Sequence, residues 1–149
     1  MLTKLTTGGL LALGMSFSVH AAECEVTIDS NDMMQFSTDT ITVPASCAEV
    51  TLTLNHTGKL PVQTMGHNVV ITDTANLQAV GTAGMQAGLD NQYVPPGDAR
   101  VYAHTEVIGG GESTTITFST AEMEAGGDYS FFCSFPGHWA IMKGAFVFQ

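Results

Sequence analysis

The chain has 149 residues, 44% of them hydrophobic and 12% charged, enough apolar material for one packed domain and too much for a disordered chain. Fourteen Asp and Glu residues against four Lys and Arg give a formal charge of −10. That balance argues against a nucleic-acid partner, whose phosphates must be neutralised by Lys and Arg, and against a polybasic membrane contact. Most of the carboxylates read as solvated surface groups that aid solubility.

In chain order, Lys4 precedes a mostly apolar run from Leu10 to Val19, and Val19 and Ala21 frame a small-residue cleavage site. This pattern reads as a secretory signal peptide over residues 1–21. The run is shorter than the roughly 20 residues a bilayer span needs, and no later segment is long and apolar enough. Residues 22–149 then form one exported, soluble domain, in which Lys59, Arg100 and Lys143 face all 14 acidic residues. Export permits disulfides, and Cys24 and Cys47 flank the first two expected strands. The economical pairing joins these two and leaves Cys133 over. A free thiol in an oxidising compartment is a hazard unless something, such as a metal, holds it.

Short segments of strand type follow. Glu25–Ile28, Ile41–Val43 (ending at Pro44), Val50–Leu54 with strict apolar–polar alternation, Asn68–Thr72, Val101–Thr105, Thr114–Phe118, Tyr129–Cys133 and Lys143–Phe148 make about eight strands. Eight short strands separated by turn residues predict an all-β, Greek-key β-sandwich. Residues 73–99 are the exception. Leu77, Val80, Gly84 and Met85 suggest a helical face that Gly81, Gly84 and Gly88 weaken, so a short helix is expected, followed by a loop at Pro95-Pro96-Gly97. Such an insertion packs as a flap outside the sandwich.

The chemistry concentrates in Cys133-Ser134-Phe135-Pro136-Gly137-His138-Trp139-Ala140-Ile141-Met142. A thiol at a strand end, an imidazole after a Pro-Gly turn and a thioether at the start of the next strand converge on one point. Thiolate with imidazole suits copper better than magnesium or calcium. A second imidazole has to come from elsewhere, and Met65-Gly66-His67-Asn68 offers His67. His56 reads as a packed or surface histidine that could titrate with some coupling to the site, and His104 as a surface one. Met33, Met85 and Met123 read as packing.

These residues resemble the azurins, blue copper proteins of the cupredoxin family. The resemblance covers the mature chain and rests on Ala22-Glu23-Cys24, Met65-Gly66-His67-Asn68, Cys133 through His138, and Met142-Lys143-Gly144. The four residues between Cys133 and His138, then three to Met142, favour azurins over plastocyanin-like relatives with a shorter loop. The resemblance implies a sandwich with a flap and an amino-terminal disulfide. It also implies a periplasmic electron carrier with one copper ion cycling between Cu(II) and Cu(I). By position it makes His67, Cys133 and His138 equatorial ligands, Met142 a long axial ligand and the Gly66 carbonyl a weak opposite one. Asn68 and Phe135 would tune the ligand sulfur without binding metal. Met34, Leu60, Met65, Phe135, Pro136, Gly137, Ala140 and Ile141 would form an apolar docking patch around His138 for c-type cytochromes or a periplasmic reductase. The chain is expected to act as a monomer and not as an enzyme.

Three alternatives stand beside this. A thiol enzyme would use Cys133 with His138 as base, but it lacks an orienting third group and gives Met142 no task. A copper storage or delivery module would expose soft ligands on mobile loops. A zinc site would not use Met142.

Overall fold

The computed structural model describes residues 21–149; the signal peptide expected over residues 1–21 lies, except for Ala21, outside them. Among the described residues eight strands form, β1 (Glu25–Ser30), β2 (Thr40–Val43), β3 (Glu49–His56), β4 (Val70–Asp73), β5 (Val101–His104), β6 (Ser113–Ser119), β7 (Tyr129–Phe132) and β8 (Lys143–Phe148). They build two sheets, ordered β1-β3-β6 and β2-β8-β7-β4-β5. Strands β1 and β3 run parallel, as do β2 and β8, while the other neighbours are antiparallel.

Alternation along β3 explains one sheet. Val50, Leu52 and Leu54 point into the core, while Thr51 and Thr53 face outward and pair through their hydroxyls with Thr117 and Thr115 on β6 at 3.0 and 2.9 Å. Ile41, Val43, Ile71, Phe131, Phe146 and Phe148 of the second sheet close on these residues in a single apolar cluster. Cys24 and Cys47 form the expected disulfide. Closing that loop stabilises the fold by roughly 3 kcal/mol in the chain-entropy account.

All four residues of β7 are buried, because its two faces meet different layers. Phe131 faces the sandwich core, whereas Phe132 and Val70 lie beneath the insertion, packed with Leu77, Val80, Val94, Val101 and Trp139. A continuous apolar run is what a strand covered on both faces requires. The insertion holds helix α2 (Leu77–Ala87); a one-turn helix, α1 (Val62–Met65), precedes it. The helix forms in spite of its glycines because Leu77, Val80, Gly81 and Gly84 make one buried face. Two methionines depart from expectation: Met33 is 67% and Met85 40% exposed, so neither packs the core, while Met123 does. Each sits on a surface turn or helix face that the linear pattern does not distinguish from an inward one. Among the described residues no helix is long and apolar enough to cross a membrane.

Candidate metal centre

Loops at one end of the sandwich bring together side chains far apart in sequence. His67 lies between α1 and β4, where its N–H donates to the Ile108 carbonyl at 3.0 Å and its carbonyl accepts from the Ile108 N–H at 2.9 Å. Its ring Nε2–H donates to the Asn31 carbonyl at 2.7 Å. That bond fixes the tautomer and leaves the Nδ1 lone pair free, 3.7 Å from Cys133 Sγ. His56, fully buried, stacks on the His67 ring at 4.5 Å between centroids. Its Nδ1 accepts the Gly58 N–H and its Nε2 donates to the Met65 carbonyl.

The other donors come from the loop between β7 and β8. The Cys133 N–H donates to the Met142 carbonyl at 3.0 Å, and the Met142 N–H to the His138 carbonyl at 2.8 Å. Backbone bonds therefore link the thiol, thioether and imidazole segments in sequence. Pro136-Gly137 makes the turn between them, with Gly137 at φ 83°, a conformation that glycine adopts without strain. His138 Nδ1 then lies 3.6 Å from Cys133 Sγ, and the His138 ring rests on Phe135 at 4.7 Å. The Gly66 carbonyl approaches the sulfur to 3.9 Å. A Cβ on Gly66 would sit 2.6 Å from the Val62 carbonyl oxygen and 2.7 Å from Val107, so a side chain there would push this segment aside.

Nδ1 of His67, Sγ of Cys133 and Nδ1 of His138 belong to one buried group whose donor atoms all lie within 4.8 Å of each other. Met142, 1% exposed, packs with Cys133 and Phe135 beside them. Burial pushes the Cys133 thiol up to about 12, while the N–H groups of Asn68 and Phe135 pull it down by favouring the thiolate. Burial lowers His67 to about 4, opposed by its bond to Asn31, and lowers His138 as well. All three donors therefore face one dry point, where burial favours neutral imidazoles and a protonated thiol that a bound cation would ionise. That donor set fits a thiophilic ion of the copper type, which takes sulfur and imidazole together.

Asn68 ties the two ligand segments. Its Oδ1 accepts the Ser134 N–H at 2.9 Å, and its Nδ2 donates to Ser134 Oγ at 2.8 Å and to the Gln92 carbonyl at 2.9 Å. Of the residues placed in the apolar patch, Leu60, Pro136, Gly137, Ala140 and Ile141 are exposed, and Met34 and Met65 are half-buried. Phe135 is 8% exposed, so it underlies the patch where an outward position was expected. Its ring is taken up by His138 and by Tyr93, 5.3 Å away. His104 is exposed on β5, away from the donors. Sequence reasoning missed Asn31, Ile108, Gln92 and Ser134. The first two act through backbone groups, which leave no side-chain signal.

Comparison with known proteins agrees with this geometry. The family model of copper binding proteins, plastocyanin/azurin family, matches residues 22–149. An azurin of Bordetella pertussis is 56% identical over 142 residues, 95% of each chain. An azurin of Pseudomonas aeruginosa is 48% identical over 149 residues, all of both chains. The solved azurin Az-iso2 of Methylomonas sp. strain J superposes with a TM-score of 0.82 at 44% identity, covering 86% of this chain and 99% of that one. The chain belongs to the plastocyanin/azurin family of copper binding proteins.

Proposed function

We propose that the chain carries single electrons between redox proteins through one copper ion that His67, Cys133 and His138 would hold, with Met142 and the Gly66 carbonyl as further, weaker donors. The observation that carries this reading is the convergence of Cys133 Sγ with Nδ1 of His67 and His138 at 3.7 and 3.6 Å in a fully buried pocket. Copper bound there supplies the one-electron Cu(II)/Cu(I) couple. The residues of the chain do the rest. His67 is oriented by Asn31 and Ile108, and His138 by the turn at Gly137 and by Phe135. Bonds of this kind orient the donors before the ion arrives and would limit how far they move as it changes oxidation state. Met142, Phe135, Met34, Phe36, Tyr93 and Val107 keep water out. The Asn68 and Phe135 N–H groups withdraw charge from the sulfur and tune it without ligating.

His138, 4% exposed, lies just under Pro136, Gly137, Ala140 and Ile141, which face solvent. This apolar surface is the docking face for c-type cytochromes or a periplasmic reductase, since small contacts suit brief redox encounters. Residues 1–21 direct export to the periplasm, where the Cys24–Cys47 disulfide persists, and residues 22–149 act there as a monomeric domain. Carriage suits the site better than catalysis: the Cys133 thiol is wholly buried, and burial raises its pKa, which disfavours the nucleophilic thiolate. Ligands anchored by strand ends and paired backbone bonds also suit retention over delivery.

Titrating the metal-free mature protein with Cu(II) tests this reading. An intense visible charge-transfer band saturating at one equivalent is expected, bleached by a reductant and restored by oxidised cytochrome c in stopped flow. A thiol that stays titratable with Cu(II) present, and no band, would overturn it.

A further inference from the structure

Interior glycine costs a helix roughly 1 kcal/mol relative to alanine, yet α2 holds two on one face, three residues apart. Their surroundings give the reason. A Cβ on Gly81 would lie 2.9 Å from Cγ and 3.1 Å from Cδ1 of Trp139. One on Gly84 would lie 2.1 Å from the Tyr93 carbonyl oxygen and 3.7 Å from Ser134 Cβ. The backbone of the flap helix thus rests directly on Trp139 and stands beside Ser134. These are the residues that follow His138 and Cys133. The Trp139 ring continues into the cluster of Val70, Leu77, Val80, Val94 and Phe132.

The loop around His138 is held at its base by the Cys133–Met142 backbone bond and by Asn68 on Ser134, while its tip has fewer contacts. Pro136, Gly137, Ala140 and Ile141 are exposed, and its own backbone bonds are those of a tight turn. Phe135 supports one side of the His138 ring. On the other side of the turn Trp139 packs on the flap helix, as Phe135 packs on Tyr93 of the same insertion.

We propose that Trp139, wedged against the bare backbone of α2 at Gly81, is a positioning residue for His138. The flap helix then clamps the metal-binding loop, and it does more than cover β7. The Gly81 site exists because any larger residue would displace the indole and turn the adjoining imidazole. The proposal rests on His138 as a ligand, so its test uses readouts both with and without copper.

The perturbation is Gly81→Ala in the full mature chain, with Thr82→Ala on the exposed side of the same helix as control. Trp139 is the only tryptophan, so intrinsic tryptophan emission reports the surroundings of this one indole. In the metal-free protein, Gly81→Ala should shift that emission to the red and move the His138 ring NMR signals. With Cu(II) bound, the charge-transfer band should change in position or intensity, and loss of copper to a chelator should quicken by at least about fivefold, the lower end of overpacking strain. Adding Trp139→Leu makes room for the new methyl, so the double variant should match Trp139→Leu alone. A lower melting temperature with unchanged emission, His138 signals, band and copper loss would overturn the proposal. If Gly81→Ala does not fold, Trp139→Leu alone decides: unchanged His138 signals and copper loss refute the clamp. A parent chain that binds no copper refutes the functional reading, and the metal-free emission and His138 signals still judge the clamp.

Discussion

Replacing Asn68 by alanine cuts the tie between the two ligand segments. Its hydrogen bonds to the Ser134 N–H, Ser134 Oγ and the Gln92 carbonyl vanish, and both Asn68 and Ser134 are 0% exposed. Each bond is worth about 1 kcal/mol net, and buried groups left unpaired cost 1–3 kcal/mol apiece, so a loss of about 3–5 kcal/mol is expected. For a domain of this size that corresponds to a fall in melting temperature of about 10–20 °C. Circular dichroism of the metal-free protein measures it, with the disulfide intact. Asn91→Ala serves as control. It removes one exposed bond, to the Ala87 carbonyl, and should cost no more than about 1 kcal/mol. If Asn68→Ala melts within about 2 °C of the parent, the reasoning from buried hydrogen bonds fails here.

Other expectations follow from the same geometry. In the metal-free protein, burial holds His67 down to about 4 and lowers His138, whereas an unfolded chain titrates both near 6.5. Between those values the unfolded chain binds protons that the folded one does not. Stability is therefore full above pH 6.5 and falls as pH drops toward 4, by roughly 3 kcal/mol for His67 alone; urea melts across this range showing no decline would refute it. With His67 and His138 lowered and Cys133 raised by burial, copper uptake at pH 7 should release about one proton, read by calorimetry in buffers of differing ionisation enthalpy, and Cys133→Ser should abolish the release. Met142→Leu conserves volume and should cost less than about 1.5 kcal/mol while moving the copper reduction potential. An unchanged potential in voltammetry would remove Met142 from the donor set. Ile141→Glu, at a position 63% exposed, should slow electron exchange with cytochrome c while shifting stability by no more than about 0.5 kcal/mol. Equal rates for parent and variant would move the docking face elsewhere.

Much of this could be read locally. Alternation along Val50–Leu54 set one face of β3, and Pro44 ended β2. Cys133, His138 and Met142 lie within ten residues on a strand–turn–strand unit, so backbone geometry alone brings them together. The two remaining cysteines could be paired by elimination of the third. In each case the information sits within a few residues, where a period of two, a turn residue or a short spacing has a direct geometric meaning.

The sandwich itself decided the rest. His67 reaches Cys133 across 66 residues because β4 and β7 are neighbours in one sheet. Its tautomer depends on the Asn31 carbonyl, a group every residue carries, so no side chain announces it. Phe135 turned inward because His138 and Tyr93 offer it ring contacts, and Met33 and Met85 turned outward because nothing packs over them. Gly81 and Gly84 looked like faults in a helix, and they let its backbone approach Trp139, Tyr93 and Ser134. By itself the sequence determined which donors this protein has and the short-range geometry of three of them. Only tertiary structure decided how those donors are oriented, dried and clamped, because orientation and burial depend on neighbours that the chain brings in from far along its length.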